Sequence, residues 1–274
     1  MNDMEIDKEI KQLATVFPFG GYMSASEEAY INVANSVRKY LPTGGRILDF
    51  GAGPCDKTAV LQRLGYQCTA FDDLSDDWHL EADNRDKILS FARQIGIEYV
   101  MDYSILGSAE CRGFDMVMLH DVLEHLHDSP RDLLNDLLAL VKDGGLLFIT
   151  VPNAVNLRKR ISVLSGKTNL PAFDSFYWNK GPWRGHIREY VKGDLSLLSD
   201  YLGLEKIELR SCHHMLRVLP APARPFFRAI TCLFPGWRDS WLLIARKPSH
   251  WQPSRNLNES DYAAMMSRIN LYNR

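Results

Sequence analysis

Residues 47–58, ILDFGAGPCDKT, combine a short apolar run, an acidic residue and two glycines, Gly51 and Gly53. This order is typical of the turn between the first strand and the first helix of a nucleotide-binding α/β fold. A phosphate-binding P-loop needs the pattern GxxxxGK[ST], which the glycine spacing does not give. A dinucleotide fingerprint needs a third glycine where this chain has Asp56, and negative charge is unfavourable beside a pyrophosphate. The loop therefore suits a ligand without phosphates. Asp49 can neutralise an ammonium group of such a ligand.

Strands and helices alternate along residues 46–153. Strands are predicted for RILDF, YQCTAFDD, IEYVMD, FDMVMLH and LLFITVPN, and helices for KTAVLQRLG, NRDKILSFARQIG and SPRDLLNDLLALVKDGG. A helix is also predicted over 24–40 and another at KGDLSLLSDYLG, and LEKIELRS and DSWLLIARK are further strand candidates. This alternation is typical of a parallel sheet with helices on both faces. Ligands of such sheets bind at the carboxyl ends of the strands.

Composition excludes several classes of protein. The 274-residue chain has a formal net charge of −2, so no basic field indicates a nucleic-acid partner. Its five cysteines are scattered without a CxxC pair, which predicts reduced thiols, mostly buried, rather than a disulfide framework or a zinc ribbon. The charged N-terminal residues do not resemble a signal peptide, and no stretch reaches the roughly 20 apolar residues of a membrane span. We therefore expect a cytoplasmic protein.

Several segments together resemble one family. ILDFGAG resembles motif I of the class I S-adenosylmethionine-dependent methyltransferases, and FDMVMLHDVLEHL resembles the fourth strand and the following segment of their ubiquinone-biosynthesis-type branch. LLALVKDGGLLFITVPN matches the next helix, glycine turn and strand, and the matches run from 45 to 153, with weaker ones to 205. The chain also resembles bacterial methyltransferases of surface-glycan and natural-product pathways. The resemblance implies a Rossmann-like seven-stranded sheet, mostly parallel with the last strand antiparallel, and S-adenosylmethionine as the cofactor.

The first two strand ends carry cofactor-binding candidates. The resemblance assigns Asp49, Gly51 and Gly53 to the methionine part of the cofactor. Asp72 ends the second predicted strand, 21 positions after Gly51, which is the spacing of the acid that accepts hydrogen bonds from ribose hydroxyls. Asp73 is the neighbouring alternative.

The next two strand ends extend this set. By the resemblance, Asp102 would accept a hydrogen bond from the adenine amino group, and Tyr103 would supply a backbone amide. Asp102 suits a helix cap nearly as well. His120 would lie beside the cofactor at the end of the fourth strand.

The candidate general base is His186. It lies in PWRGHIREY, a segment that resembles the H-x-R-x-[FY] pattern above the cofactor in many family members. A hydroxyl acceptor has to lose a proton, and the pKa of histidine is near the working pH. The alternative is that His186 and Arg188 only hold the loop against the sheet.

Asp121, Glu124 and His125 indicate a rival mechanism. In some relatives these positions hold a divalent metal together with a later histidine, which would be His186 here. A bound Mg²⁺ or Zn²⁺ would acidify an acceptor hydroxyl. Without a metal, Glu124 and His125 would brace the start of a helix, and His125 is the second candidate for a catalytic group.

Two insertions, 154–190 and 212–238, are predicted to form a lid and the acceptor site. The aromatic run FDSFYWNKGPW suits the face of a sugar or a flat ring, or the packing of a lid. Segment 217–247 carries six basic residues and one acidic residue. It could contact an anionic membrane surface, or form a covering hairpin or a dimer contact.

The predicted organisation is an N-terminal helical cap, 1–44, a class I methyltransferase domain, 45–248, and a polar C-terminal tail, 249–274, with a short helix from Glu259. The predicted function is methyl transfer to a hydroxyl. A saccharide or lipid-linked saccharide is the first acceptor class, and a quinone-like or other small molecule the second. Metal-assisted transfer to a quinone-like or natural-product acceptor and a non-catalytic cofactor-binding subunit remain alternatives. No pattern indicates an oligomeric state.

Overall fold

The computed structural model describes residues 3–108, 112–214 and 216–272. Its centre is a seven-stranded sheet with the order β3-β2-β1-β4-β5-β7-β6. The strands are β1 (Arg46–Phe50), β2 (Gln67–Phe71), β3 (Glu98–Val100), β4 (Phe114–His120), β5 (Val141–Pro152), β6 (Glu205–Cys212) and β7 (Ser240–Arg246). The first five strands pair in parallel, and β7 lies antiparallel between β5 and β6. The predicted fold is therefore confirmed, including the antiparallel last strand.

Helices cover both faces of this sheet. They are α1 (Asp3–Val16), α2 (Tyr22–Ala25), α3 (Glu27–Tyr40), α4 (Asp56–Arg63), α5 (Asp77–Leu80), α6 (Asn84–Ile95), α7 (Tyr103–Leu106), α8 (Pro130–Leu140), α9 (Leu157–Leu164), α10 (Phe173–Tyr177), α11 (Lys192–Tyr201), α12 (Arg224–Leu233) and α13 (Glu259–Tyr272). Side chains alternate along each strand, so Met116 and Met118 pack with α1, α3, α4 and α6, whereas Val117 and Leu119 pack with α8 and α11. Two apolar layers thus cover the two faces of the sheet. The polar residues at the carboxyl ends of the parallel strands lie at one edge between them.

Helix α1 was not predicted from the sequence as a separate element. Its residues Ile6, Ile10 and Leu13 follow a helical spacing and are all buried, as is Phe17 beyond its end. They belong to the same apolar cluster as Val33 of α3. The segment that precedes the glycine loop is therefore part of the main core.

The predicted boundary between α8 and β5 was wrong. We expected the helix to continue through Val141 to the glycines, but it ends at Leu140 and the strand begins at the next residue. Val141 has extended backbone angles and pairs with Phe114 of β4. The buried Lys247 ammonium donates to the carbonyl oxygens of Leu138 and Val141, at 2.9 and 2.6 Å. These bonds satisfy carbonyls that a longer helix would have used itself.

The predicted C-terminal tail lies against α8. Arg255 pairs with Asp136 at 2.6 Å, and Asn135 exchanges hydrogen bonds with Ser254. The predicted helix from Glu259 is present as α13. No helix in the described ranges is long and apolar enough to cross a bilayer.

Three of the five cysteines, Cys55, Cys68 and Cys212, are buried, and Cys232 is exposed; all four are free thiols. Cys111 lies outside the described residues.

Candidate active site

The glycine loop lies at the point where the strand order reverses. Strand β1 has β2 on one side and β4 on the other, and such a point opens a crevice at the carboxyl ends of the strands. Gly51 has a φ of +75°, and a Cβ there would lie 2.5 Å from Cγ2 of Val122, in the segment after β4. Only glycine therefore allows the two loops that border the crevice to approach so closely.

Asp72 holds this loop against the end of β2. Its two carboxylate oxygens accept hydrogen bonds from the backbone N–H groups of Gly53, at 3.0 Å, and Leu74, at 2.8 Å. An ionised carboxylate has about four acceptor positions, so the carboxylate retains capacity for two hydroxyl donors. The alternative, Asp73, is exposed and accepts from the N–H of Ser75. The geometry therefore fits Asp72 better than Asp73 to a ribose.

Asp49 lies beneath the loop. It is buried, and it accepts a hydrogen bond from the Thr58 hydroxyl of α4 at 2.6 Å. Burial raises the pKa of Asp49 to about 7, although the Thr58 hydroxyl and the nearby Lys57 ammonium oppose the shift. This carboxyl group therefore fixes the turn from β1 to α4, and its predicted contact with an ammonium group stays a prediction.

Asp56, the acid of the glycine loop, has a structural partner. It begins α4 and accepts a hydrogen bond from the Tyr30 hydroxyl at 2.7 Å. The adjacent Lys57 extends to Asp121, with 3.6 Å between Nζ and Oδ2. Burial alone would lower the pKa of Lys57, but the carboxylates of Asp56, Asp121 and Asp49 raise it. Lys57 was not predicted as a site residue, and it brings a positive charge to the crevice between β1 and β4.

Asp102 and Tyr103 lie at the end of β3. Asp102 is exposed and accepts from the backbone N–H and the hydroxyl of Ser104, which lower the pKa of its carboxyl group. It thus caps α7, the alternative that the sequence left open, and its predicted contact with adenine stays a prediction. The ring of Tyr103 meets the stacked rings of Phe50 and Phe71 edge to face.

His120 ends β4 as a buried side chain. Its Nδ1 forms a 3.0 Å hydrogen bond with the Thr150 hydroxyl, and its ring meets Phe148 edge to face. Burial lowers the pKa of His120, as does the positive charge of Lys57. The imidazole is therefore neutral, and its buried Nε2 has no hydrogen-bond partner among the described residues.

Glu124, His125 and His186 come together at the other side of the crevice. Glu124 is fully buried, and neither of its carboxyl oxygens has a hydrogen-bond partner in the described part of the chain. The Nε2 atoms of both histidines lie 4.0 Å from Oε1 of Glu124. The Glu124 carbonyl also accepts from the N–H groups of Ile187 and Arg188. His186, which follows Glu124 and His125 by about 60 positions, thus joins them in one polar cluster.

The hydrogen bonds of the two histidines define their tautomers. Nδ1 of His125 lies 2.8 Å from the carbonyl oxygen of Arg184, and Nδ1 of His186 lies 2.7 Å from a carboxylate oxygen of Glu189. Both oxygens can only accept, so both Nδ1 atoms carry a proton. In its neutral form, each ring therefore presents an unprotonated Nε2 towards Glu124.

Glu189 and Lys159 support this arrangement, and the sequence analysis missed both. The Lys159 ammonium forms an ion pair with Glu189. Burial and the neighbouring Arg158 lower the pKa of Lys159 to about 8. The spacing of three residues between His186 and Glu189 was a signal that could have indicated the pair.

Burial raises the pKa of the Glu124 carboxyl above its ordinary range, as does the charge of Asp121. The pKa of His186 is lowered by burial and by His125 and Lys159.

The predicted metal ligands are only partly brought together. One ligand atom from each of Glu124, His125 and His186 lies within 4.8 Å of the others. Asp121 is not part of this group, because its carboxylate lies towards Lys57. Two imidazoles and one carboxylate form a donor set that suits Zn²⁺ better than Mg²⁺.

The residues around the crevice fit S-adenosylmethionine. Asp72 can accept from two hydroxyls, the glycine loop admits close approach of a ligand, and no phosphate site is formed where Asp56 and Tyr30 bond each other. The aromatic run on the lid does not form a buried wall of the crevice, because Phe173, Tyr177 and Trp178 are exposed.

Known proteins share this organisation. Residues 24–209 match the family model described as "Methyltransferase domain". The chain is 31% identical over 182 residues to the ubiquinone biosynthesis O-methyltransferase of Xanthomonas campestris pv. campestris (strain B100). The aligned region covers 66% of this chain and 70% of that protein. A relative of the same name from Xanthomonas axonopodis pv. citri (strain 306) is 31% identical over 113 residues, or 41% of this chain and 45% of that protein.

A solved structure has the same fold at low identity. The 1,6-didemethyltoxoflavin-N1-methyltransferase of Burkholderia thailandensis, with bound 1,6-didemethyltoxoflavin and S-adenosylhomocysteine, superposes with a TM-score of 0.52 and 18% identity over 90% of this chain and 91% of that chain. At this identity the likeness concerns the fold alone, whereas the family match extends over more than half of the chain. The chain belongs to the class I S-adenosylmethionine-dependent methyltransferases.

Proposed function

We propose that this protein transfers a methyl group from S-adenosylmethionine to a hydroxyl group of a small-molecule acceptor, with His186 as the general base. The observation that carries the proposal is the pair formed by His186 and Glu189, with 2.7 Å between Nδ1 and the carboxylate. This bond keeps the proton on Nδ1 and leaves Nε2 as the basic atom. An oriented imidazole of this kind is what a hydroxyl acceptor requires.

The cofactor supplies an electrophilic methyl group together with its leaving group, so the chain mainly aligns the reactants. Asp72 and the glycine loop would hold the cofactor at the end of β1 and β2. His186 would accept the acceptor proton at Nε2, and Glu189 would stabilise the resulting imidazolium through the N–H of Nδ1. The Lys159 ammonium would hold the Glu189 carboxylate in place through their ion pair.

The acceptor class that we favour is a phenolic hydroxyl. A phenol loses its proton more readily than a saccharide hydroxyl, so a neutral imidazole is a sufficient base. The two relatives named as ubiquinone biosynthesis O-methyltransferases support a quinone-like precursor as the acceptor. A saccharide or lipid-linked saccharide, the first class expected from the sequence, is the alternative.

The test is a transfer assay with radiolabelled S-adenosylmethionine, with catechol-type phenols in one arm and saccharides in the other. We expect label in the phenols. His186→Gln should lower kcat by roughly 100-fold or more with unchanged affinity for S-adenosylhomocysteine, whereas the exposed His250→Gln should leave both unchanged. Full turnover by His186→Gln would contradict the role of His186. Methylation of saccharides alone would contradict the phenolic class, and no transfer in either arm would favour a non-catalytic subunit.

Metal-assisted transfer is a second candidate, favoured by the cluster of Glu124, His125 and His186. The unpartnered carboxyl oxygens of Glu124 and the two unprotonated Nε2 atoms would be the ligands, and a bound Zn²⁺ would lower the pKa of an acceptor hydroxyl. Dialysis against EDTA followed by measurement of transfer separates the candidates. Loss of activity that Zn²⁺ restores would support the metal, whereas activity that is insensitive to EDTA would support His186 alone.

A further inference from the structure

The insertion that contains α12 is held to α3 by ion pairs and leaves a cavity beside them. Arg217 and Arg228 of the insertion pair with Glu27 and Glu28 of α3. The cavity has a volume of about 380 Å³, which is in the range of small-molecule pockets. We call it the arginine pocket, and its wall includes Glu28, Asn32, Arg210, His213, Arg228 and Arg238.

The arginine pocket is separate from the crevice. Arg210 and Cys212 of β6 face α3, because the Arg210 guanidinium donates to the Ser36 hydroxyl at 3.0 Å and Cys212 belongs to the apolar cluster of Val33. The residues of the glycine loop and the partners of His186 are not part of the pocket wall. A ligand in this pocket would therefore not compete with the cofactor.

Three guanidinium groups from three parts of the fold line the pocket. Arg210 lies on β6, Arg228 on α12 and Arg238 just before β7, whereas Glu28 is the one acid among the described residues of the wall. Arginine stays charged at every working pH, so the wall carries more positive than negative charge. Guanidinium groups bind phosphate and carboxylate groups through two parallel hydrogen bonds. The pocket therefore suits an anion.

Arg238 has no counter-charge of its own, unlike the other two guanidinium groups, which pair with Glu208 and Glu28. Its Nη1 donates to a backbone carbonyl oxygen at 3.2 Å, and it forms no ion pair with any residue that the structure describes. The adjacent acid, Asp239, accepts instead from the backbone N–H of His214 at 2.8 Å. Because Arg238 is partly buried, its unpaired charge is unfavourable, and an external anion would stabilise it.

An unpartnered carboxylate oxygen adds a second requirement. Oε1 of Glu28 accepts a hydrogen bond from Arg228, whereas Oε2 is buried and has no hydrogen-bond partner in the part of the chain that the structure describes. Native proteins leave few buried polar atoms unsatisfied. A ligand hydroxyl beside the anionic group would donate to this oxygen.

We infer that the arginine pocket binds a small dianion that also carries a hydroxyl group. Arg228 and Arg238 would bind the anionic group, and Glu28 would accept from the hydroxyl. A sugar phosphate and a hydroxydicarboxylate share this chemistry. An extended polyanion fits less well, because the arginines line a cavity between helices. The inference goes beyond methyl transfer and does not depend on it.

The experiment is isothermal titration calorimetry of the full chain in a phosphate-free buffer of low salt, which limits screening of the charges. The probes are glucose 6-phosphate, malate, inorganic phosphate and the uncharged glucose. We expect one-to-one binding of glucose 6-phosphate or malate, weaker binding of inorganic phosphate, and no binding of glucose. Binding of glucose 6-phosphate alone would assign the pocket to phosphate esters, and binding of malate alone would assign it to carboxylates.

Two variants should change anion binding in opposite directions. Arg238→Gln removes the unpaired charge and should lower the affinity for the bound probe roughly 10-fold or more, because hydrogen bonds to charged groups are the strong ones. Glu28→Gln removes the negative charge of the wall, so inorganic phosphate should bind several-fold more tightly. Arg246→Gln is the matched control, since it replaces an arginine in an exposed ion pair with Glu205, and it should leave every affinity unchanged.

Absence of binding by both anionic probes, or equal affinities of Arg238→Gln and Arg246→Gln, would overturn the inference. Loss of binding when S-adenosylhomocysteine saturates the protein would also overturn it, because the anion would then lie in the crevice. Thermal unfolding at an unchanged midpoint shows that a variant folds. If Arg238→Gln does not fold, Glu28→Gln decides alone, and unchanged or weaker binding of inorganic phosphate by it would contradict the pocket.

Discussion

Asp72 fastens the glycine loop through the Gly53 N–H. We expect its remaining acceptor positions to bind the ribose hydroxyls of the cofactor. Asp72→Asn keeps the size of the side chain but replaces one acceptor oxygen with a donor. We expect the affinity for S-adenosylhomocysteine to fall roughly 10-fold or more, because hydrogen bonds to charged groups contribute about 1.5–3 kcal/mol.

Isothermal titration calorimetry measures this affinity. Asp73→Asn is the matched control, since Asp73 is exposed and adjacent. Equal affinities of the two variants would remove Asp72 from the ribose contact.

Asp49 links the loop to the pH dependence of stability. Burial raises the pKa of Asp49 to about 7 from an ordinary value of 3.8. The stability that its protonated form contributes is complete below about pH 4 and is lost as the pH rises through about 7. Asp49→Asn removes this titration, so its free energy of unfolding relative to the unchanged protein should rise by a few kcal/mol between pH 4 and 8, at about 1.4 kcal/mol per pKa unit.

Urea denaturation across this pH range tests the effect. Asp174→Asn replaces an exposed acid and should show no such trend. A constant difference between Asp49→Asn and the unchanged protein at every pH would mean that Asp49 does not titrate in the folded state.

Glu189 should matter through His186. Glu189→Gln retains an oxygen that can accept from Nδ1 but loses the negative charge that stabilises the imidazolium. We expect kcat to fall about 10-fold or more with little change in KM, a loss of about 1.4 kcal/mol in the transition state. Glu205→Gln, at an exposed ion pair with Arg246, is the control, and an equal kcat for both variants would argue against the positioning role.

At the scale of elements, the loop between β1 and α4 depends on the contact of Gly51 with Val122. Gly51→Ala would place a Cβ 2.5 Å from Val122 at a φ of +75°. A positive φ costs about 1 kcal/mol for alanine, and the displaced valine adds to it. We therefore expect a loss of about 1–3 kcal/mol in stability together with weaker binding of S-adenosylhomocysteine.

Thermal unfolding and calorimetry on Gly51→Ala provide the two readouts. Gly20→Ala is the control, because a Cβ at Gly20 meets nothing within 4 Å. Unchanged binding by Gly51→Ala would show that the two loops do not need this close approach.

Strands and helices whose apolar residues recur with a clear period were predictable from the sequence, whereas the residues at which they end were less so. The buried strand β4 and the helix α6 follow directly from their apolar patterns. The end of α8 was not predictable, because it depends on the Lys247 ammonium, more than 100 positions along the chain, which bonds the last carbonyls of the helix. Val141 continues the helical spacing of Leu134, Leu137 and Leu138, and a tertiary contact overrides this local pattern.

At the scale of the whole molecule, the cofactor half of the site was easier to predict than the acceptor half. Gly51, Gly53 and Asp72 lie at strand ends, and the order of the strands places them at one edge of the sheet. The cluster of Glu124 and His186 depends on how a long lid folds back, which no local pattern determines. Lys159 was missed for this reason, since its ion pair with Glu189 spans 30 positions of the lid, whereas the local spacing of His186 and Glu189 could have indicated their pair.

The exposed lid also gives a physical reason for the ambiguity of the aromatic run. An aromatic run such as the one with Phe173 and Trp178 has the same sequence pattern whether it packs a lid, binds an acceptor or contacts a membrane. Their exposure in the structure shows only that they are not buried against the sheet.

The central claim is that the crevice between β1 and β4 binds S-adenosylmethionine rather than a nucleotide with phosphates. Titration of the unchanged protein with S-adenosylhomocysteine, NAD and ATP in a calorimeter tests it most directly. We expect saturable one-to-one binding of S-adenosylhomocysteine and no binding of the other two. Absence of binding by S-adenosylhomocysteine, or binding of NAD or ATP in its place, would contradict it.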